Sequence, residues 1–533
     1  MSAVPRPAPA VTAVSRLVLA APHPAALAAA RQAAERGGNA MDAALAAAVA
    51  LTVVYPHQCS LGGDLIALVH APDGAVRAVV SAGAAAQDVD VEALRAADRR
   101  MPAQGPQTVT VPGAVAGWAA LAAAHGTPGA LAAALRDAAT LAEEGATVSA
   151  GLARAIREQA ARISADPGLT ALLTGRDGAP LGEGAPLPQP RLAAVLRDLA
   201  DDPSSFYRGS VADALANGLR RAGSPLTAAD LAAHRAESVE ALVLDMAGIR
   251  WWTAPPPSQG ATLLAVLATA AEAAELPEPE RTGALAARCQ DASAARDRLL
   301  GDPRGGELDL DGLLRPISLA GAQPPHPPIR PAGDTVAVTA VDSSGLAVSL
   351  IQSVYQTFGS GICEPDTGVV LHNRGSAFSL LPGHPAVIGP GVRPPHTLCP
   401  VLGRSADLLL AAGCQGGRAQ PQILAQTVPG LMDPTTDPAA VLDRPRWVIG
   451  ARDIGHGTQT LLAEPGALSD ARPPGVPVVV APGRTDLAGH TQVVRLSADG
   501  RLDGASDPRA DGGTVLYGPA APATSPATEG NPV

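Results

Sequence analysis

The residue with the clearest capacity for chemistry is Thr335, which follows a proline-rich stretch and opens a strongly apolar run. Inside a chain, a threonine hydroxyl is a weak nucleophile. Cleavage of the Asp334–Thr335 peptide bond would free the α-amino group of Thr335, whose ordinary pKa of about 7.7–8.0 suits a general base at neutral pH. Thr335 would then be nucleophile and base together. The sequence holds no GxSxG motif that would supply a different nucleophile.

The elements around Thr335 are suited to presenting it. Segment 319–334 is predicted to be a linker because its prolines forbid a helix and disfavour a central strand. Segments 335–341 and 346–351 are apolar and flank a turn at 342–345, which predicts a hairpin. The candidate nucleophile therefore stands at the junction of a linker and a buried strand.

The remaining elements predict the fold class. Segment 24–36 is an alanine-rich helix, and Asn39 with Asp42 forms the N-terminal cap of a second, largely buried helix. Helices are expected to dominate 115–276. Further hairpins are predicted at 65–80 and 489–507. Helices mostly first and antiparallel strands later indicate a layered α+β architecture.

Composition excludes several classes of function. The formal net charge is −11 and no basic run is present, so nucleic acid is not an expected partner. The chain has no lysine, which excludes pyridoxal phosphate, Schiff-base and P-loop chemistry. Its five cysteines lack the spacing of a disulfide framework or a zinc site, and we expect small buried side chains. No cofactor and no metal are expected.

Membrane association is not expected either. The N-terminal segment is broken by prolines and lacks an uninterrupted apolar h-region, and the longest apolar stretch, 43–54, is too short to cross a bilayer. We therefore expect a cytoplasmic protein that acts on a small-molecule substrate.

Motifs in a fixed order extend from His23 to Gly512. They include RGGNAMDAALAAAVALTVVYPHQCSLGGD, TVTVPGAVAGW, PPPSQG, GDTVAVTAVD, FGSGI, RPPHTLCP, CQGGRAQ and GASDPRADG. One such motif alone would be an ordinary turn or helix stop, but about a dozen in register resemble the γ-glutamyltranspeptidase family of N-terminal-nucleophile (Ntn) hydrolases. The resemblance implies a four-layer αββα sandwich and an autocatalytic cut between Asp334 and Thr335.

The resemblance also implies a division of the chain into two interlocked subunits that stay associated. The large subunit would span 23–334 and the small subunit 335–533, beginning at the nucleophile. We expect a flexible N-terminus at 1–22 and a disordered tail at 518–533.

The resemblance assigns roles to individual residues. Thr335 falls on the nucleophile, and Thr339 on a hydroxyl residue that steadies its amine or hydroxyl. Gly416 and Gly417 fall on the glycine pair whose backbone amides form the oxyanion hole.

The residues that hold a γ-glutamyl substrate in this family are missing. Ala82 stands where the arginine belongs, and Ala377 where the aspartate belongs. Each replacement removes charge-assisted hydrogen bonds worth roughly 1.5–3 kcal/mol. A free glutamyl group would lose both anchors, which predicts a different acyl substrate.

Other substrate contacts are also replaced. His396–Thr397 stands where two serines are expected, and Tyr355, two residues beyond Ser353, stands where an asparagine is expected. Arg374 occupies a position that is often a neutral amide, and two interpretations stay open: a new contact for an anion, or a solvent-facing arginine. These five residues are candidate substrate contacts.

Three functions are consistent with this pattern. The first is a self-processing threonine hydrolase of a non-γ-glutamyl substrate. The pattern resembles a branch of the family that acts in the biosynthesis of 4-alkyl-proline precursors of lincosamides and pyrrolobenzodiazepines. The reaction of that branch is C–C bond hydrolysis, which is one possible reaction here. The second is a γ-glutamyl hydrolase or transferase with relocated anchors. The third is an inactive scaffold homologue, which would not process itself.

Overall fold

The computed structural model describes residues 16–317, 333–468 and 476–518. Most of the predicted linker 319–334, and the predicted tail beyond residue 518, lie outside these ranges.

The strands are short, and most of them are apolar. In chain order they are β1 (Leu17–Ala21), β2 (Asp64–His70), β3 (Val76–Ser81), β4 (Ala146–Thr147), β5 (Pro186–Leu187), β6 (Glu237–Glu240), β7 (Leu242–Met246), β8 (Ile249–Thr253), β9 (Gly333–Asp342), β10 (Ala347–Gln356), β11 (Ile362–Glu364), β12 (Val369–Leu371), β13 (Val401–Arg404), β14 (Leu408–Cys414), β15 (Trp447–Gly450), β16 (Thr460–Ala463), β17 (Val478–Val480), β18 (Thr491–Ser497), β19 (Leu502–Ser506) and β20 (Gly513–Tyr517).

The helices are mostly rich in alanine and leucine. They are α1 (Pro24–Glu35), α2 (Ala40–Val54), α3 (Val91–Ala97), α4 (Ala114–His125), α5 (Ala130–Glu144), α6 (Ala150–Glu158), α7 (Ala160–Ile163), α8 (Pro167–Leu173), α9 (Pro190–Asp201), α10 (Ser210–Arg221), α11 (Ala228–Ala233), α12 (Gly260–Glu272), α13 (Glu278–Leu299), α14 (Leu310–Leu314), α15 (Gln420–Leu431) and α16 (Pro438–Asp443). Within the described ranges, none is long and apolar enough to cross a membrane.

Two large sheets form the centre of the molecule. The first has the order β20-β1-β9-β10-β2-β3-β6 and the second the order β19-β18-β14-β13-β8-β7. The two sheets pack face to face. At their contact, Gly413 of β14 lies directly against Ala337 of β9 and Ile351 of β10. A shared apolar cluster fills the space between the sheets.

Helices cover the outer face of each sheet. Helix α2 packs on β9 and β10, while α12 and α15 pack on the second sheet. The predicted four-layer αββα sandwich is therefore confirmed. The cap of α2 is also as predicted: the Asn39 side chain accepts a hydrogen bond from Asp42 N, and the Asp42 carboxylate accepts one from Asn39 N, both at 3.0 Å.

One expectation about the elements differs from the structure. Segment 1–22 was expected to be flexible, but β1 is a fully buried strand between β9 and β20, because its LVLAA sequence fills a central position of the sheet. Helices dominate region 115–276, as expected, and the region also contains the short strands β4 to β8. The hairpin of β7 and β8 completes one edge of the second sheet.

Candidate active site

Thr335 lies near the start of β9 and is almost fully buried, with 1% of its surface exposed. Alternation along the strand turns Val336 and Val338 toward the outer helices. Thr335 and Ala337 face the second sheet instead. Asp334 and Thr335 both belong to β9, so the structure shows the uncut chain.

Ser353 connects the hydroxyl of Thr335 to the peptide bond that precedes it. Thr335 Oγ1 donates to Ser353 Oγ at 3.0 Å, and Ser353 Oγ donates to the carbonyl oxygen of Asp334 at 2.5 Å. Ser353 Oγ also accepts a hydrogen bond from Tyr355 N at 2.8 Å. These three bonds use the single proton and both lone pairs of the hydroxyl, so its orientation is fixed. The sequence analysis placed Ser353 only among substrate contacts.

Thr339 does not contact the candidate nucleophile. It lies four residues further along β9, about 13 Å away at the rise of a strand. Its Oγ1 is buried without a hydrogen-bond partner. The expectation that Thr339 steadies Thr335 is therefore wrong in this structure, where the contacting hydroxyl comes from Ser353 on the neighbouring strand.

A β-bulge distorts β10 beside the scissile bond. The register of β10 on β9 shifts between Gln352 and Tyr355, which brings Tyr355 opposite Asp334. Tyr355 has a φ of 80°, a rare conformation for a bulky residue that costs on the order of 1–3 kcal/mol. Such strain is concentrated at functional sites. The bulge places the backbone of Tyr355 next to the bond to be cut.

Gly416 and Gly417 form the turn that follows β14, and both have positive φ, at 147° and 53°. A Cβ at Gly416 would stand 2.4 Å from Ile423 Cδ1, so only glycine fits. The turn packs against β9. Gln259, which the sequence analysis missed, donates from Nε2 to Gly417 O at 2.9 Å and to Thr397 O at 2.8 Å. The Gln259 side chain thus connects the Gly416–Gly417 turn to the segment that contains Thr397.

A buried carboxylate and two histidines lie next to this turn. His396 Nε2 donates to Asp64 Oδ2 at 3.2 Å, and His372 Nδ1 lies 3.2 Å from the same oxygen; all three side chains are fully buried. Burial alone would raise the pKa of Asp64, but His372 and His396 hold it well below its usual range. Burial, and after it the charge of Arg374, lower the pKa of His396 to about 3, so His396 is neutral at neutral pH.

Arg374 is buried, with 1% of its surface exposed. The interpretation as a solvent-facing arginine is therefore wrong. Its guanidinium lies over the Tyr355 ring, 3.8 Å from the centroid, and Nη1 donates to Thr397 Oγ1 at 3.2 Å. Burial lowers the pKa of Arg374 to about 10, which leaves it cationic at neutral pH. The structure thus brings together Tyr355, Thr397 and Arg374.

The positions of the two missing anchors carry no charge. Ala82 is buried in the apolar cluster between the sheets, near Ala254 and Leu398. Ala377 lies on the wall of a pocket that Tyr355 also lines. The other polar residues of this wall are Arg99, Arg100, Arg296, Asp297, Ser376, Ser379, His384 and Arg418.

Two further features bear on chemistry. Burial raises the pKa of the Asp334 carboxyl to about 7, with smaller contributions from the charges of Asp486 and Glu158. Among the residues described, no group of three or more His, Cys, Asp or Glu side chains is arranged to hold a metal ion. The five cysteines are buried and free, as expected.

A strand-initial threonine that faces the space between two sheets, within an αββα sandwich, defines an Ntn hydrolase. Residues 26–517 match the family described as Gamma-glutamyltranspeptidase, and the chain belongs to that family. It is therefore an enzyme of the Ntn hydrolase class.

Relatives of the chain span almost its whole length. The oxamate amidohydrolase proenzyme of Klebsiella pneumoniae subsp. pneumoniae is 37% identical, over 93% of this chain and 98% of that protein. The glutathione hydrolase-like YwrD proenzyme of Bacillus subtilis is 32% identical, over 94% and 98%. The crystal structure of cephalosporin acylase from Bacillus halodurans superposes with a TM-score of 0.83 at 29% identity, over 97% of this chain and 98% of that chain. A structure of LmbA2991HD shares the fold, with a TM-score of 0.82 at 24% identity, over 95% and 99%.

Proposed function

We propose that the protein cuts its own chain between Asp334 and Thr335 and then hydrolyses an amide through an acyl-Thr335 intermediate. The observation that carries this proposal is the hydroxyl of Ser353, bonded at once to the hydroxyl of Thr335 and to the carbonyl oxygen of Asp334. The Ser353 hydroxyl thereby accepts a hydrogen bond from the nucleophile and donates one to the carbonyl oxygen of the scissile bond.

The first reaction is an acyl shift from nitrogen to oxygen. Thr335 Oγ1 attacks the carbonyl carbon of Asp334, its proton passes to Ser353 Oγ, and the proton of Ser353 passes to the carbonyl oxygen. When the intermediate collapses, that proton moves to the nitrogen, the C–N bond breaks and an ester remains. Breakage of the C–N bond frees the α-amino group of Thr335. Water then hydrolyses the ester, which frees Thr335 Oγ1 and leaves Asp334 as a chain end with a new carboxylate.

The second reaction uses the freed threonine on a substrate. The α-amino group of Thr335 accepts the proton of Oγ1 while Oγ1 attacks the substrate carbonyl. Backbone amides of Gly416 and Gly417 stabilise the oxyanion, a role in which one donor is typically worth about 2.7–4 kcal/mol. The amine departs with the proton, and water releases the acyl group as a carboxylic acid.

The two products of self-cleavage, the chain up to Asp334 with β1 included and the chain from Thr335 onward, would remain interlocked because their strands alternate in one sheet. In the order β20-β1-β9-β10-β2-β3-β6, the outer strand β20 and the central pair β9 and β10 follow the cut, while the others precede it. Separation would break hydrogen bonds between β1 and β9, between β1 and β20, and between β10 and β2.

Amide hydrolysis of a non-γ-glutamyl substrate is favoured over the other interpretations. The relatives named oxamate amidohydrolase and acylase act, by their names, as amide hydrolases. A γ-glutamyl substrate would find alanine at positions 82 and 377. The C–C hydrolysis of 4-alkyl-proline precursors has no support beyond the fold shared with LmbA2991HD.

Mass spectrometry and a substrate panel test the proposal. The 53.2 kDa chain should yield a fragment that begins at Thr335, and Thr335→Ala should remain whole. Oxamate should be hydrolysed faster than a γ-glutamyl anilide. An intact, inactive wild-type chain after prolonged incubation would indicate a scaffold, and ready turnover of the anilide would restore the γ-glutamyl interpretation.

A further inference from the structure

The buried arginines beside the candidate nucleophile have donors without acceptors. Arg374 Nε and Nη2, together with Arg296 Nε, are buried and have no hydrogen-bond partner among the described residues. Arg296 is 5% exposed and lines the same pocket as Tyr355. Ser376 Oγ, on the wall of this pocket, also lacks a partner. Because buried N–H groups are costly when unpaired, this region calls for an acceptor.

The nearby carboxylates are already engaged. Asp297 accepts from Arg418 Nη2 at 2.5 and 2.6 Å and from Arg296 Nη1 at 3.1 Å. The next carboxylate, Asp453, lies 3.8 Å from Arg418 Nε. Asp297 and Asp453 are thus engaged by Arg296 and Arg418, whereas Arg374 donates to Thr397 Oγ1 and its Nε and Nη2 have no partner among the described residues.

Asp64 does not supply the missing acceptor. It is the carboxylate whose charge acts on Arg374, but it is bound to His396, to His372 and to the backbone N–H of Gly83. A carboxylate on a ligand would supply the acceptor that Arg374 Nε and Nη2 lack.

The position of Arg374 limits where that charge lies on a substrate. Its guanidinium stacks on Tyr355, and Tyr355 lies opposite Asp334 across the β9–β10 pair. The carbonyl of Asp334 occupies the place that the substrate's acyl carbonyl takes after cleavage. Opposed residues in such a pair are about 4.5–5.5 Å apart at Cα, so Arg374 is connected to the reacting carbonyl through a single residue, Tyr355.

We propose that Arg374, assisted by Arg296, binds a carboxylate on the acyl part of the substrate, so that the enzyme selects monoamides of short dicarboxylic acids. This inference rests on the proposed amide hydrolysis. Arg374 is a specificity residue: its fork of N–H groups suits two carboxylate oxygens, while Tyr355 supports the guanidinium plane.

Paired substrates test the charge requirement. Oxamate, succinamate and glutaramate are each compared with their neutral methyl esters. In the wild type, kcat/KM for the best carboxylate should exceed that of its ester at least tenfold. Arg374→Gln should lower kcat/KM for the carboxylate at least tenfold more than for its ester, chiefly through KM, and Arg374→Lys should restore part of the preference. Esters hydrolysed as well as carboxylates, or equal losses on both in Arg374→Gln, would overturn the inference.

Equilibrium binding separates this inference from the proposed function. Oxalate, succinate and glutarate are titrated calorimetrically into the mature wild type, into both Arg374 variants and into Arg250→Gln, which loses an exposed arginine elsewhere. Binding of at least one dicarboxylate, weakened tenfold only in Arg374→Gln, supports the anion site even if no amide is turned over. Absence of binding by all three, or equal binding in Arg374→Gln, refutes it. Thermal unfolding and fragment formation show that each variant is folded.

Discussion

Ser353 Oγ accepts a hydrogen bond from Thr335 Oγ1 at 3.0 Å across the β9–β10 pair. This contact orients the candidate nucleophile before the chain is cut. It also makes the fate of the scissile bond depend on a residue that lies 18 positions away in sequence.

Ser353→Ala is expected to slow self-cleavage. Without the hydroxyl, Thr335 loses its acceptor and the Asp334 carbonyl loses its donor, a loss comparable with removal of an oxyanion donor, about 10²–10³-fold in rate. The measurement is the rate at which the fragment beginning at Thr335 forms. Ser353→Thr should retain most of the rate. Ser349→Ala, which removes another buried hydroxyl of β10, is the control, and equal slowing there would count against a specific role.

Asp334→Asn is expected to change how the stability of the uncut protein depends on pH. Burial raises the pKa of this carboxyl from 3.8 to about 7. The folded chain therefore keeps a proton that the unfolded chain releases, so the carboxyl lowers stability as pH rises from 3.8 to 7, by roughly 4 kcal/mol at completion. Below pH 3.8 both states hold the proton and the effect is absent.

The measurement is thermal unfolding of Thr335→Ala and of Asp334→Asn/Thr335→Ala between pH 4.5 and 7.5. The double variant should lose less stability over this range. Asp73→Asn in the same background, at an exposed turn, should follow Thr335→Ala. Parallel curves for all three proteins would show that Asp334 is ionised in the folded chain.

Gly416→Ala is expected to impair turnover by the mature enzyme. Its φ of 147° and the 2.4 Å approach to Ile423 Cδ1 force the turn to move. Displacement of the backbone amides from the oxyanion should lower kcat about 10²–10³-fold. Gly455→Ala, at a φ of 84° with no atom within 4 Å of the added Cβ, is the matched control for backbone strain. Unchanged kcat in Gly416→Ala would remove this turn from the mechanism.

Gln259→Met is expected to lower both stability and activity. It leaves the carbonyls of Gly417 and Thr397 without their shared donor, at about 1–3 kcal/mol for each buried group. Gln422→Met, a buried glutamine whose Nε2 donates to Ile449 O, should cost similar stability. Both variants are assayed at the same temperature, at which both are folded. If kcat falls further in Gln259→Met than in Gln422→Met, Gln259 is a positioning residue. Equal kcat values would mean a structural role alone.

Local sequence rules accounted for the elements that carry the nucleophile. The Asn39–Asp42 cap joins residues three positions apart. The β9–β10 and β18–β19 hairpins join strands that follow each other directly in the sequence. The hairpin even contained Ser353: its register pairs Val336 with Gln352, and an unbroken ladder would pair Thr335 with Ser353 next, the point at which the bulge begins. Counting pairs from the turn would have identified this residue without a structure.

The sequence by itself thus determined the Ntn fold class, the candidate nucleophile and the absence of the γ-glutamyl anchors at Ala82 and Ala377. Only the tertiary structure decided that β1 is an internal strand and that Arg374 is buried on Tyr355. The reason is how far apart in sequence the contacting residues lie. A cap or hairpin is set by neighbours in sequence, whereas the contact between Asp64 and His396 joins residues 332 positions apart. Such contacts arise only when the two sheets pack together.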